Sequence, residues 1–564
     1  MLCSLALLLG ALASYPVAAI GMNDDWSYVR SAEVLAETGR VVYNGWSSPM
    51  LGWQLFLGAF FAKLFGTSFT SIRASTLLLG LACAFLLHRN LVRLGVNLRN
   101  ATIGTIAFVL NPLFLPLAVS FMTEIGCLFS ILVCLYACLR AIQSSTERGM
   151  FAWLAFAALS STAGGTSRQI AWLGVLVMFP CAVWLLRRRR HAVPIAITLY
   201  ALSAVFIYGA MSWFQRQPYS LPEPLLPERF SANDMASLFT LVFVATFSSA
   251  TFLLPILVAF VPTISKSNRS RNHFLALGGI ILTTIALFFL LSGTSSFVSF
   301  VAPYPGNYVT EHGLVDGTPI HGTRPVVLSP GLRVVLTIAI DVASYCFLAC
   351  LCFGTKAPDT SSIPTRLPWN SLAVLLVPFT IAYFCLVLPH CLLLGFFDRY
   401  LLPILPILLI FLLRLFEDRI QEKLPLASVV LTLIFAAFAV AGTHDAFSLF
   451  RAEAAAITEL QSAGIPDTYI DGGLEHNALT QVKQFGHTND PRIRVPAIVY
   501  YQPSSHFPKD CEPQLGLLTP AIVPGYALSF DDSACGGISS FAPIPYHAWM
   551  GDHLPNVYIV KTEK

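Results

Sequence analysis

Charge is scarce in this chain: only 11% of its 564 residues are Asp, Glu, Lys or Arg. A folded surface in water has to be covered with charge, and a soluble chain of this length carries roughly a quarter. Apolar residues take up the difference, reaching 55% with 42 Phe and 9 Trp, and the mean hydropathy is +0.69. The scarcity excludes a soluble globular protein and makes the bilayer the solvent for most of the surface. Strong charge imbalance is missing too. A net charge of +4 leaves no electrostatic footprint for a polyanion, and no nucleic-acid partner is expected. Cys-X-X-Cys spacing and Cys/His alternation are absent, so no zinc site is expected. Of the 13 cysteines, only Cys511 and Cys535 lie in a polar region; the others read as small buried hydrophobes in or beside apolar runs. There is no internal repeat and no low-complexity stretch.

What is present is a succession of apolar segments of membrane-spanning length. They fall at about 2–20, 69–87, 101–119, 123–140, 149–165, 170–186, 192–210, 237–260, 274–291, 332–353, 369–392, 400–413 and 425–442. The first lacks a basic leader and reads as a helix of the bundle, not as a signal peptide. The span at 400–413 holds Pro403 and Pro406, so a kinked or broken helix is expected there. Alternate short connectors contain half of the 34 Lys and Arg residues, including Arg187, Arg188, Arg189 and Arg190. That bias marks them as cytoplasmic. The opposite face then carries the long connectors 21–68, 211–236 and 293–331 and everything after Thr443. The expected organisation is a transmembrane domain over 1–443 and a small extracytoplasmic mixed α/β domain over 444–564. In the latter, Phe450–Ala463 has helical spacing, and Thr468–Asp471 and Ala497–Tyr501 read as short strands. A Cys511–Cys535 disulfide fits an oxidising compartment.

Chemistry is expected on the outer face. Asp24 and Asp25 adjoin the first span, followed by Trp26, Ser27 and Tyr28. Asn23 or Asp24 can cap the short helix that follows. A cap accounts for one acid only, because adjacent residues at a helix start point about 100° apart. The other faces a cavity. Pro49 to Phe65 reads as an amphipathic helix lying at the interface, and Arg73 stands at the outer end of the next span. Asn111-Pro112 and the run Phe121-Met122-Thr123-Glu124 put a carboxylate at a tight outer turn. An acid at membrane depth is a functional candidate by default. Arg168 occupies the next outer turn. His390 and the run Phe397-Asp398-Arg399-Tyr400, entering the Pro-broken helix, supply a cation and a phenol suited to a phosphate near the headgroup layer.

These motifs, in this order and on one membrane face, resemble the integral-membrane glycosyltransferases of the GT-C superfamily. The group concerned contains the protein O-mannosyltransferases and the lipid A aminoarabinose transferase. The resemblance covers roughly residues 1–445. It implies a GT-C type polytopic α-helical fold, about 13 transmembrane helices here, and transfer of a sugar from a polyprenyl-phosphate-linked donor at the extracytoplasmic face. Its essential first-loop acid matches Asp24 or Asp25, its second-loop acid Glu124, and its late Arg-Tyr element Arg399-Tyr400, near the donor phosphate. Arg168 and Arg73 are further candidates for that phosphate, with Tyr28 and His390 as accessory groups. Asp24, Asp25 and Glu124 are also the residues that would hold a divalent ion, Mg or Mn. The chemistry needs a carboxylate to take the acceptor hydroxyl's proton and cations to stabilise the departing phosphate; a single inverting displacement is expected. The acceptor, whether lipid, glycan or protein, is not specified, and a bacterial inner membrane is the expected location. A transporter or flippase of lipid-linked sugar is the main competing reading, and a non-enzymatic assembly or sensor protein the other. A transporter would gather its polar residues near mid-membrane, where this chain has little beyond Asp341.

Overall fold

The computed structural model describes residues 1–224, 226–227, 229–266, 270–291, 300–316, 320–353, 366–420, 423–493, 500, 511–551 and 554–562. Helices α1 to α8 span Leu2–Ala13, Asp25–Thr38, Gly52–Phe65, Phe69–Arg93, Leu98–Val109, Phe114–Ala118, Thr123–Ile142 and Glu147–Gly164. A 3-10 turn at Gln169–Trp172 and a π turn at Gly174–Met178 lead into α9, Phe179–Leu186. Then come α10 Ala192–Gln215, α11 Ala232–Phe252, α12 Leu254–Leu257 and α13 Ser270–Leu291. The bundle closes with α14 Pro330–Phe353, α15 Trp369–Leu394, α16 Leu405–Arg419 and α17 Leu426–Ser462. Among the described residues, eight helical stretches are long and apolar enough to cross a membrane.

Helix starts follow local chemistry. Ser68 and Ser71 satisfy each other's backbone N–H groups in a capping box at α4, and the side chains of Asn97 and Thr146 cap α5 and α8. Helix α7 is the centre of the bundle, its side chains almost all buried, with α4 and α8 packed along it. At the end far from the first loop, Glu417 Oε1 accepts from Asn97 N at 2.9 Å and Asn100 Nδ2 at 2.7 Å, while Arg366 pairs with Asp418 at 2.5 Å.

The thirteen expected spans are not reproduced one for one. The first is a helix of only 12 residues, about 18 Å at 1.5 Å per residue and short of a hydrocarbon core of about 30 Å. The segment 101–119 breaks at Asn111-Pro112, where Asn111 Oδ1 accepts from Leu113 N and Phe114 N, each at 2.8 Å, and starts α6 afresh. Around Pro403 the chain makes a 3-10 turn, Asp398–Leu401, before the 15-residue α16. The helix expected from Pro49 starts at Gly52. The apolar run 425–442 and the polar helix at 450–463 are one helix, α17, which passes through the expected boundary at Thr443 without a linker.

A short hairpin of β1 (Val309–Thr310) and β2 (Gly313–Leu314) precedes α14. After α17 come β3 (Ile470–Asp471), α18 (Leu474–Phe485), β4 (Tyr526–Ser529), β5 (Gly537–Ile538), β6 (Ile544–Pro545) and β7 (Asn556–Lys561). The sheet order is β3-β4-β7-β5, with β6 also on β7; β3 and β4 are parallel and the rest antiparallel. Of the strand expected over Ala497–Tyr501, all but Tyr500 lies outside the described residues. A disulfide joins Cys511 to Cys535, with Cα atoms 5.1 Å apart. The C-terminal part sits on the end of the bundle that carries the α1–α2 connection. Ala478 and Val482 of α18 pack on Trp26, and Thr488 Oγ1 donates to Gly45 O at 2.7 Å.

Gly21 makes that docking close. A Cβ there would lie 2.5 Å from Trp26 Cβ and 3.1 Å from Glu475 Cβ. We expect Gly21→Ala to destabilise the protein by about 1–3 kcal/mol, the usual cost of overpacking, with loosening of α18 visible as faster amide exchange at residues 474–485.

Candidate active site

Four segments converge above α7: the start of α2, the start of α7, the turn at 165–169 and the 3-10 turn at 398–401. The cavity between them is lined by Asp24, Tyr28, Glu124, Arg168, Gln169, Arg399 and Tyr400, with Glu223, His390 and Tyr383 beyond and an apolar wall of Ile170, Met211, Leu386 and Val387.

The adjacent acids of the first loop have separate fates. Asp25 is wholly buried and saturated. Its oxygens accept from Arg73 Nε at 2.7 Å and Nη2 at 3.0 Å, from Met22 N at 2.6 Å and from Phe121 N at 3.2 Å. Neither Asp25 nor Arg73 lines the cavity: Arg73 spends Nε and Nη2 on Asp25 and on Ile20 O, and among the described residues its Nη1 is buried without a hydrogen-bond partner. Both were expected among the reacting and phosphate-binding groups; the structure places them as a buried pair outside the cavity lining. Asp24 stands at the N-cap position of α2 but makes no capping bond. Its Oδ1 accepts from Trp46 Nε1 at 3.0 Å, and its Oδ2 meets Arg399 Nη2 at 2.8 Å. Asn23, in the left-handed conformation at φ 57°, instead receives Asp24 N on its Oδ1 at 3.0 Å.

Glu124 bridges the two guanidiniums. Its Oε1 lies 2.5 Å from Arg168 Nη1 and 3.4 Å from Arg399 Nε, and its Oε2 is buried without a hydrogen-bond partner among the described residues. Both guanidiniums also sit against the Tyr400 ring, at 5.2 Å for Arg168 and 5.9 Å for Arg399. Burial works against the charge on Arg399, but the carboxylates of Asp24 and Glu124 outweigh it and hold its pKa well above the ordinary value. Of Arg168's N–H groups, only those on Nη1 have a protein partner among the described residues, namely Glu124 and Thr123 Oγ1. Burial, with the Asp24 charge beside it, raises the Tyr28 pKa well above the phenol range and keeps it a neutral donor.

Two supports were not singled out as site residues in the sequence. Asp398 accepts from the backbone N–H groups of Asn307, Tyr308, Val309 and Arg399 at 2.8–3.3 Å, fixing the turn that presents Arg399. Burial pushes its pKa up to about 6, and those four N–H groups work in the other direction. Tyr383 donates its hydroxyl to the Tyr400 carbonyl. Glu223 reaches the cavity rim, 3.9 Å from His390 Nε2 and 3.5 Å from Arg492 Nη1. No sequence motif points to that contact.

A divalent ion fits this donor set poorly. Mg asks for near-octahedral oxygen ligation, yet Asp25 and Asp24 are engaged on both oxygens and only Glu124 Oε2 is bare, beside two guanidiniums. Among the described residues, the one His/Cys/carboxylate grouping of metal-ligand closeness is His321 with Cys511 and Cys535, whose sulfurs are spent on the disulfide.

No protein-family model and no curated protein matches the chain. Solved structures overlap it in part. ArnT from Cupriavidus metallidurans bound to undecaprenyl phosphate is 12% identical, covering 99% of this chain and 97% of that one at TM-score 0.39. The oligosaccharyltransferase AglB from Archaeoglobus fulgidus, in complex with an inhibitory peptide and a dolichol-phosphate, is 17% identical over 81% of this chain and 57% of that one, at TM-score 0.39. The arabinosyltransferase EmbB from Mycobacterium smegmatis is 15% identical over 71% and 42%, at TM-score 0.35. Overlap at these scores carries no inference about activity.

The two first-loop acids are separable by stability. Asp25→Asn strands Arg73 without its counter-charge and should cost about 3–5 kcal/mol, the scale for breaking a buried pair. Asp24→Asn leaves Arg399 paired with Glu124 and should cost far less, measured as melting temperatures of the purified variants.

Proposed function

We propose that this protein is a GT-C type membrane glycosyltransferase that moves a sugar from a polyprenyl-phosphate-linked donor to an acceptor hydroxyl. The observation that carries the reading is the cavity itself: two guanidiniums against one tyrosine ring, two carboxylates within reach, and an apolar wall opposite. A phosphate needs the guanidinium fork, its lipid chain needs the apolar wall, and the acceptor needs a carboxylate base.

In this reading Arg168 and Arg399 bind the donor phosphate, Arg168 through the N–H groups that have no protein partner among the described residues. Asp24 takes the proton of the acceptor hydroxyl as the oxygen attacks the anomeric carbon, and the C–O bond to phosphate breaks with inversion. The phosphate leaves as the anion, stabilised by the two guanidiniums, so no general acid is required. Asp24 is favoured over Glu124 as the base because it is the more accessible of the two, 18% against 1% at the side chain. Glu124 then holds the guanidiniums apart and in place. The face is read as extracytoplasmic, in a bacterial inner membrane: the cavity lies at the end of the bundle that carries the disulfide-linked part, and disulfides persist in oxidising compartments.

Purified protein given a synthetic polyprenyl-phosphate sugar and candidate lipid, glycan and peptide acceptors should transfer the sugar; movement of intact donor across a vesicle membrane without transfer would favour a transporter. Asp24→Asn should lower turnover about 10²-fold or more with donor affinity nearly unchanged. Arg168→Lys should instead weaken donor binding, by about tenfold, with turnover at saturation less affected. The reverse pattern would reassign both residues.

A further inference from the structure

Two glutamates without a role in this chemistry lie beneath the first loop. Glu475 in the first turn of α18 and Glu453 on α17 are each 1% exposed. Glu475 Oε1 accepts the backbone N–H of Asn23 at 3.1 Å. Among the described residues, its Oε2 and both carboxyl oxygens of Glu453 are buried without a hydrogen-bond partner, and neither residue makes an ion pair. Two full negative charges are untenable there: a buried carboxylate without a cation or donors protonates instead.

The bond to Asn23 leads straight into the cavity. Asn23 is held at φ 57°, a left-handed conformation that Asn tolerates better than most residues. From it, Asn23 Oδ1 accepts from Arg399 Nη1 at 3.1 Å and from Asp24 N at 3.0 Å. The two residues given the base and phosphate roles are therefore both oriented by Asn23, which the C-terminal part grips through Glu475.

We propose that Glu475 is a positioning residue of the active site and acts as the uncharged acid, holding Asn23 so that Asp24 and Arg399 keep their places. This rests on the function proposed above. The groups facing Glu475 agree with it. Glu453 comes from α17 and Asp25 from α2, the latter neutralised by Arg73 of α4. Arg324 acts on Glu453 but spends its guanidinium on Asp316 at 3.0 Å. Burial and then the Glu453 charge raise the Glu475 pKa well above the carboxylate range, against its own backbone N–H and that of Asn23. Because the folded pKa is raised, the folded state binds the proton more tightly. Its contribution to stability is full below the unfolded value of about 4.3 and is lost as pH rises through the folded pKa.

The test uses the full chain in lipid nanodiscs, with melting temperature followed from pH 5 to 9 and transfer kinetics at pH 7. Glu475→Gln keeps an acceptor oxygen and removes the charge. It should melt higher than the parent at pH 8, by about 2 °C or more, with a flatter pH profile and turnover within about twofold. Glu475→Ala removes the acceptor and should lower kcat about tenfold or more with the donor KM little changed. Restoration of kcat by Gln but not Ala is the signature of positioning. A Gln variant that melts lower than the parent at pH 8 would show that the charged carboxylate is needed, and an Ala variant with full kcat would show that Asn23 needs no grip; either overturns the proposal. The melting measurement stands whether or not sugar transfer is found, so failure of the proposed function is distinguishable from failure of this inference.

Discussion

The buried pair of Asp25 and Arg73 is the contact on which the geometry of the cavity depends. A carboxylate with no exposure at a lipid boundary is tolerable only when its charge is met in place. Asp25 is met by Arg73 from α4, by Met22 N in its own loop and by Phe121 N in the approach to α7. Three segments distant in sequence are thereby drawn to one carboxyl group. With Asp25 pinned inward, its neighbour Asp24 has to face the other way, and with Phe121 pinned, Glu124 begins α7 beside it.

A second layer of pairing builds on the first. Glu124 sits between two guanidiniums that would otherwise repel each other across the Tyr400 ring, and Asp24 closes the chain at Arg399. The carboxylates and guanidiniums of the cavity face one another within the protein. Among the described residues this leaves donor groups on Arg168 and one oxygen of Glu124 unspent. Those unspent groups, beside an apolar wall, define what the cavity can bind. The C-terminal part is joined to this arrangement by a continuous helix and by Glu475, so it belongs to the construction of the site.

Much of this was legible in the sequence, because the chemistry of a membrane boundary leaves few explanations for an exposed-face acid or guanidinium. Asp24, Glu124, Arg168, Arg399, Tyr400, Tyr28 and His390 all line the cavity. The division of labour between Asp24 and Asp25 was not legible, since it turns on a partner 48 residues away. The break at Asn111-Pro112 falls within an apolar run whose hydropathy stays that of a span. Composition changes at Thr443, yet nothing in the backbone stops the helix there. Glu453 and Glu475 carry no local signal, and Asp398 is legible only as part of the run that holds Arg399; their partners are set by tertiary packing.

The claim at the centre of this account is that the cavity recognises the phosphate of a lipid carrier through Arg168 and Arg399. Binding of polyprenyl phosphate and of the matching polyprenol to the protein in nanodiscs tests it directly, in the parent and in the double variant Arg168→Met, Arg399→Met. The account predicts that the parent binds the phosphate at least about tenfold more tightly, a difference of roughly 1.4 kcal/mol, and that the double variant binds both alike. Equal binding by the parent, or a phosphate preference that survives in the double variant, would contradict it.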